Sequence, residues 1–406
     1  MKVLFISTSI PPYTDMQTIR NAFLLQSLYS RGHDVTIVSA DHPWGDSSLL
    51  NMLPSELNIV RTKVPFFVGL QRFLMKSAIF KPLLKVFNVA SNIILIPDIQ
   101  MLWEHQAIRK VKQLLKSKKY DAVITSSGSY TAHIVGSWVK KNHNIVWIAE
   151  YGDPWGFDLY GNIKKTNYKI EQKLLRNCDG LVFTTETTGE VYQKNTSFTK
   201  DSIKIVPCGF EYIIEDMLLR EKKDKKITYT GVAYASSRNL SNAIRAIGRS
   251  QSPEGLQLEM VGTFSDKYKD EAEKLGNKKI IFTGRVSYKK SLDIIADTDI
   301  LLHIGNKGIM QVPGKTYIYL GSKKPILYIR QEQNDPTFEL LKKFGGVECC
   351  ENDENSILQA LSKILSNYTS YKEAAERRAM DKKLERYKWS RLGQEFAEFV
   401  ENSALK

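Results

Sequence analysis

Short apolar runs alternate with amphipathic stretches along the whole chain. Val3 to Ser7 is an apolar run with strand character. Thr18 to Arg31 repeats its apolar residues at helical spacing and ends at Gly32. Val35-Thr36-Ile37-Val38 is the next strand run. Helical spacing over Trp103 to Lys116 leads into Ala122-Val123-Ile124-Thr125. Tyr130 to Lys141 leads into Ile145-Val146-Trp147-Ile148, and Tyr168 to Arg176 into Gly180-Leu181-Val182-Phe183. Strands that alternate with helices are joined by crossovers, so this order predicts βαβ units and a parallel sheet.

The pattern then restarts. Ile203 to Val206 and Lys226 to Gly231 read as strands. Leu256 to Val261, Ile280 to Thr283, Asp299 to His303 and Ile326 to Ile329 follow, with helices between them. Two similar α/β domains joined near residue 208 are expected. The charged run Arg220 to Lys226 has the composition of an exposed segment near that junction. Tyr371 to Ser403 reads as one long charged helix. Ligands of such sheets sit at the carboxyl ends of the strands, so the cleft between two facing domains is the expected site.

Size and charge narrow the function. The 406 residues exceed one simple domain, and 42% hydrophobic content is ample for packed cores. Cys178, Cys208, Cys349 and Cys350 lack zinc or redox spacing and fit buried residues in a reducing cytosol. Met1-Lys2 runs straight into the first strand, so no signal peptide is expected, and no apolar window predicts a membrane-spanning helix. The net charge of +14 suits anionic small molecules or an anionic membrane surface. It suits nucleic acid least, because no nucleic-acid module is visible.

The segment His303 to Tyr317 carries the most chemistry. It follows a buried strand run and opens a short helix that stops at Gly321. A glycine-rich loop there leaves backbone N–H groups free at a helix start, which favours an anion such as phosphate. Lys315 adds a mobile positive charge. An ordinary turn whose glycines only reverse the chain is the other reading.

The order of motifs resembles the GT-B fold glycosyltransferases, specifically the retaining enzymes of glycosyltransferase family 4, over nearly the whole chain. Ile10-Pro11-Pro12-Tyr13, Arg20 and Arg31-Gly32-His33-Asp34 are similar to the family's amino-terminal signature. Trp147 to Trp155 looks like its "DPW" segment. Thr184-Thr185-Glu186 and Val206 to Phe210 resemble the end of the first domain and the linker. Gly231 with Arg238, Val261-Gly262 and Phe282-Thr283-Gly284-Arg285-Val286 match the second domain in order. His303 to Tyr317 is similar to the "PxKxxEY" form of the diphosphate loop. The chain departs from the family at Ile318, where a ribose-binding glutamate is usual, and at Met310, where an acidic residue is frequent. It also has Tyr13 to Met16 for paired glycines, and Gly152 for a histidine.

The resemblance implies two Rossmann-like parallel-sheet domains facing a cleft. Residues 1–207 would form an acceptor-binding domain and 208–375 a nucleotide-sugar donor domain. Residues 376–406 would be a helix packing back towards the first. It implies a cytoplasmic, metal-independent, retaining transferase of the hexosyltransferase class, acting in surface polysaccharide biosynthesis without a cofactor. The donor would be a nucleotide-diphosphate sugar, with UDP-sugar as the default. The acceptor would be a hydroxyl of a glycan or lipid-linked glycan. Lys315 and Arg238 would hold the diphosphate with Gly231 and Gly314, and Arg285 and Val286 would flank the nucleobase. Asp153 and Glu150 are the catalytic candidates, and Tyr13, Arg20 and Trp155 the acceptor contacts. No Asp-x-Asp lies in a plausible metal-binding loop.

Plainer readings stand beside these. Arg238 also fits a solvated helix start, Asp153 a turn cap, and His303 a satisfied core histidine. The acid-free run Pro65 to Phe87 suits helices on an anionic bilayer or a core helix with snorkelling lysines. Two other functions share the fold: a nucleotide-sugar 2-epimerase, and a non-catalytic subunit that has lost donor binding, as Ile318 suggests.

Overall fold

The structure, a computed structural model, describes residues 1–43, 45–64, 66–75, 78–211, 225–233, 238–250, 255–276 and 279–405. It divides into two compact units, Met1–Pro207 with Leu392–Lys406, and Cys208–Arg391.

The first unit holds β1 (Lys2–Ile6), β2 (Asp34–Ala40), β3 (Asn58–Thr62), β4 (Ala122–Ser126), β5 (Val146–Glu150), β6 (Gly180–Phe183) and β7 (Ile203–Ile205). They form one parallel sheet of seven strands in the order β3-β2-β1-β4-β5-β6-β7. Its helices are α1 (Met16–Ser30), α2 (Phe66–Leu74), α3 (Lys81–Ile94), α4 (Trp103–Ser117), α5 (Thr131–His143), α6 (Lys165–Leu175) and α7 (Glu186–Asn195). Strands such as Val3–Ile6 and Ala122–Ile124 are fully buried, as a sheet covered on both faces requires. Asp15 starts α1 by accepting the Thr18 N–H at 2.6 Å.

The second unit repeats the plan. Its strands are β8 (Lys225–Ala233), β9 (Leu256–Phe264), β10 (Ile280–Gly284), β11 (Ile300–Ile304), β12 (Ile326–Arg330) and β13 (Val347–Glu351). The parallel order is β10-β9-β8-β11-β12-β13. The helices are α8 (Ser241–Arg249), α9 (Asp266–Lys274), α10 (Tyr288–Ala296), α11 (Gly314–Leu320), α12 (Pro336–Leu341), α13 (Glu354–Ser366), α14 (Tyr368–Ala379) and α15 (Lys382–Glu385), and α16 (Trp389–Ala404) begins here and runs into the first unit. One apolar core joins Ile227, Leu258, Leu302 and Leu327 of the sheet to Ile244 and Ile247 of α8 and Ile357 and Leu361 of α13.

Three sequence expectations change. First, one helix over Tyr371–Ser403 is in fact three, α14 to α16. The Asp381 carboxylate accepts the Lys383 N–H at 2.8 Å and starts a new turn. Phe210 then pairs with Tyr387 and Trp389 through backbone bonds of 3.1 and 2.8 Å, drawing the chain into an extended bridge before α16. From Leu392 onward, α16 belongs to the first unit. Arg31 forks onto the Glu401 carboxylate at 2.9 and 2.7 Å, and Lys204 meets Glu395 at 3.0 Å. Second, two strands, β3 and β13, were not expected; both lie at sheet edges and are only half-buried. Third, of the charged run Arg220–Lys226, residues 220–224 lie outside the described residues, whereas Lys225 and Lys226 begin β8. Lys226 is paired with Glu259 at 2.6 Å, so it is not a free surface charge.

Arg378 of α14 is fully buried. Its guanidinium donates to the carbonyls of Tyr319, Leu320, Ser322, Lys324, Gly345 and Gly346. It thereby satisfies the end of α11 and the turns entering β12 and β13. Burial pushes this guanidinium down to about 9. Arg378→Met should strand these carbonyls and lower stability by about 3 kcal/mol or more. Urea unfolding of the two proteins, followed by circular dichroism, measures the difference.

Candidate active site

In the second unit the strand order reverses between β8 and β11. Loops leaving those two strands diverge in opposite directions and open a crevice at their carboxyl ends. Residues from both loops meet there. Gly231 lies in β8 opposite Gly262 of β9. Gly262 has φ +137°, and a Cβ on it would lie 1.9 Å from the Gly231 carbonyl oxygen. A Cβ on Gly231, whose φ is +117°, would stand 4.0 Å from the Lys315 side chain. The paired glycines let β8 and β9 approach closely and keep the space above Gly231 for Lys315.

Lys315 is the second residue of α11. Its Nζ donates to the Thr230 carbonyl at 3.1 Å and lies 3.5 Å from the centre of the Tyr229 ring. Arg238 follows β8, donating Nε to the Asn306 side-chain oxygen and Nη1 to the Val232 carbonyl at 2.9 Å. Among the described residues, no carboxylate pairs with either cation. Burial, and secondly the Arg238 guanidinium, push the Lys315 ammonium well below the usual lysine range. The residue Lys315 as a whole is only half-buried.

His303 is a core histidine. It is fully buried, bonded through Nε2 to the Thr316 hydroxyl at 2.8 Å, and flanked edge-on by Tyr319 and Tyr328. Burial, Lys315 and Arg238 all depress its basicity, so the ring is neutral. Gly314 opens α11, but that helix has only seven residues. The helix end is therefore a weak anion cradle, and the two side-chain cations carry the preference instead. Met310 and Ile318 are buried and offer no polar group. Arg285 and Val286 follow edge strand β10, two strands away from β8, and Arg285 is exposed. The structure does not bring them into contact with Lys315. Sequence reasoning missed Tyr229 and Asn306, because neither has a motif and both act by touching a distant cation.

In the first unit, the loops after β1, β4 and β5 share one sheet edge. Asp153 is exposed there, after β5. Tyr13 follows β1 and packs against His42 with ring centres 4.4 Å apart. Three other expectations need correction. The Glu150 carboxylate is fully buried and accepts Arg20 Nε at 2.6 Å and Gln17 Nε2 at 2.8 Å. Arg20, also buried, donates to the Pro207 carbonyl at 2.8 Å. This pair ties α1 to β5 and to the end of the unit, so neither residue is presented to a substrate. Trp155 is 1% exposed and stacks on Tyr130 at 5.2 Å, which makes it core. At Gly152, the position of the family's histidine, a Cβ would sit 2.2 Å from the Gln17 amide oxygen, so a side chain there would have to displace the end of Gln17.

Beneath Asp153 lies a buried network that the sequence did not signal. Glu171 accepts the Tyr192 hydroxyl at 2.7 Å and the Gly156 N–H at 3.1 Å. Tyr192 in turn accepts the Trp155 N–H at 3.2 Å. Burial pushes the Glu171 carboxyl up to about 7. These bonds fix the Pro154–Gly156 turn, and with it the position of Asp153.

No protein-family model matches the chain, and no curated protein sequence is significantly similar to it. Solved structures are similar over their full length. The lipopolysaccharide outer core galactosyltransferase WaaB matches with TM-score 0.61 at 14% identity, covering 99% of both chains. Anabaena Alr3699/HepE, solved with UDP and glucose, matches with TM-score 0.67 at 11% identity, covering 99% of this chain and 100% of that one. The UDP-GlcNAc 2-epimerase from Neisseria meningitidis, bound to UDP-GlcNAc, gives 0.60 at 11% identity over 99% and 100%. The fold is that of the GT-B glycosyltransferases, which the UDP-GlcNAc 2-epimerases resemble as well.

Two outcomes are expected. Lys315 holds its proton less firmly when folded than when unfolded, so at neutral pH it opposes folding, and the opposition fades as pH rises towards the unfolded value. Lys315→Met should therefore melt at a higher temperature than the wild type without ligand, and should lose the stabilisation given by a nucleoside diphosphate; differential scanning calorimetry reads both. Glu171 has the opposite sense. Its raised carboxyl binds a proton more tightly when folded, so the wild type loses stability from this group as pH climbs from about 4.5 to about 7. Melting curves from pH 5 to pH 8 should show Glu171→Gln gaining on the wild type up to about pH 7 and holding level above it.

Proposed function

We propose that the chain is a retaining glycosyltransferase that takes a sugar from a nucleotide-diphosphate donor, by default a UDP-sugar, to a hydroxyl of a glycan or lipid-linked glycan. The observation that carries this reading is the Lys315–Arg238 pair at the β8/β11 switch. Two cations without a carboxylate suit a leaving diphosphate. Its charge grows as the glycosidic bond breaks, and prepositioned cations stabilise it most at that point. The motif resemblance to glycosyltransferase family 4, and the donor ligands in the names of similar structures, support the same reading. A place in cytoplasmic surface polysaccharide synthesis follows from the resemblance alone.

In this scheme the bond from the anomeric carbon to the diphosphate oxygen breaks. The acceptor oxygen bonds to that carbon on the same face, and its proton passes to the departing phosphate oxygen. Charge is balanced by Lys315 and Arg238, so no divalent metal is called for. Glu150 has no part in the reaction. Asp153, exposed on a turn held by Glu171 and Tyr192, orients the acceptor. Arg285 and Val286 lie beside the nucleobase only if the bound donor reaches the β10 edge. Ile318 removes the usual ribose contact.

A second reading, a nucleotide-sugar 2-epimerase, has the support of three structural likenesses. The two differ in what they need. A transferase releases nucleoside diphosphate only when an acceptor is present, whereas an epimerase interconverts the nucleotide sugar alone. Proton NMR of the reaction mixture separates them, and a product anomer matching the donor's is expected. Asp153→Asn should lower turnover about ten-fold or more while leaving nucleotide affinity nearly intact. An inverted anomer, or affinity falling in step with turnover, contradicts the scheme.

A further inference from the structure

The outer sides of α2 and α3 are apolar, the reverse of an ordinary surface helix. On α3, Leu83, Val86 and Ile94 share one face by their spacing and are 54, 65 and 71% exposed. The flank beside that face meets α2. Phe87 packs on Phe67 with ring centres 6.3 Å apart, and the Asn88 side-chain oxygen accepts a 2.8 Å bond from Gln71. On α2, Phe66 and Phe73, two turns apart, are 75 and 55% exposed. The pair has therefore used its inner faces on each other and left its apolar outer faces in water. It is not a core helix with snorkelling lysines.

Charge selects the occupant. Between Glu56 and Asp98 the sequence has no acidic residue, but it has Arg61, Lys63, Arg72, Lys76, Lys81 and Lys85. Lys63 and Lys85 are exposed, while Lys76 lies outside the described residues. A second copy docking here would set these cations against their own equivalents, which is repulsive. An anionic bilayer offers acyl chains to the apolar residues and phosphate to the lysines at once. Among the described residues no helix is long and apolar enough to cross a membrane, so insertion would be limited to the interface. We infer that α2 and α3 lay this chain on an anionic lipid surface. Phe66, Phe73, Leu83, Val86 and Ile94 enter the acyl boundary, and Lys63 and Lys85 meet the headgroup phosphates. This inference does not depend on sugar transfer.

Flotation of the full chain with vesicles tests it. Binding is expected to vesicles containing phosphatidylglycerol, not to pure phosphatidylcholine, and should weaken as salt rises. Phe73→Ser with Val86→Ser should abolish it while circular dichroism stays unchanged. Lys85→Glu should weaken it about five-fold or more. Arg377→Glu, which makes the same charge change at a 71% exposed side chain, should leave it nearly unaltered. Absence of flotation at low salt, binding that survives the Phe73/Val86 change, or equal losses from Lys85→Glu and Arg377→Glu would overturn the inference. So would a dimer in sedimentation that the Phe73/Val86 change dissolves, because the face would then belong to a second copy.

Discussion

Lys315 and Arg238 bring two positive charges to the point where β8 and β11 part, and no described carboxylate lies between them. Such a pair opposes folding, since each cation loses water and repels the other. Its partial compensation is visible: the Tyr229 ring and the Thr230 carbonyl take Lys315, and Asn306 and the Val232 carbonyl take Arg238. All are neutral. A neutral cradle leaves net positive charge in the crevice, which an anion would cancel. The surroundings serve that arrangement. Gly231 and Gly262 clear the space above β8, and Arg378 ties down the far end of the helix that carries Lys315.

The first unit solves a different problem. Its sheet edge carries polar residues, but a deeply buried ion pair, Arg20 with Glu150, joins α1 to β5. A buried pair of this kind fixes geometry and has little reserve for chemistry. Asp153, three residues beyond Glu150, is left exposed, and the turn after it is held from beneath by Glu171 and Tyr192. Buried polar groups thus act as fixtures in this unit, and an exposed carboxylate is presented on top of them.

How far the sequence can be read follows from how local each signal is. The strands of both sheet centres were legible because they are continuous apolar runs, from Val3 to Ile6 and from Ile300 to His303. Edge strands β3 and β13 were not, because half-exposed sequences such as Val-Glu-Cys-Cys-Glu carry a weak pattern. The breaks between α14, α15 and α16 depend on Asp381 capping and on pairing with distant Phe210. Periodicity does not report either. The site divides in the same way. Lys315 and Arg238 stood out by motif order, while Tyr229, Asn306 and Glu171 matter through contacts between residues far apart in the chain. Glu150, Arg20 and Trp155 were misread for a related reason. Glu150 stands at a strand end and Arg20 and Trp155 in motifs of the resemblance, which suggested exposure, and tertiary packing buried all three.

The central claim is that the crevice is built for a diphosphate, and titration calorimetry of the full chain with uridine, UMP and UDP tests it most directly. The account predicts affinity rising in that order as phosphates are added. It also predicts that UDP affinity falls as salt rises, because the contacts are between charges. Equal affinity for uridine and UDP, or UDP binding with no sensitivity to salt, would contradict it.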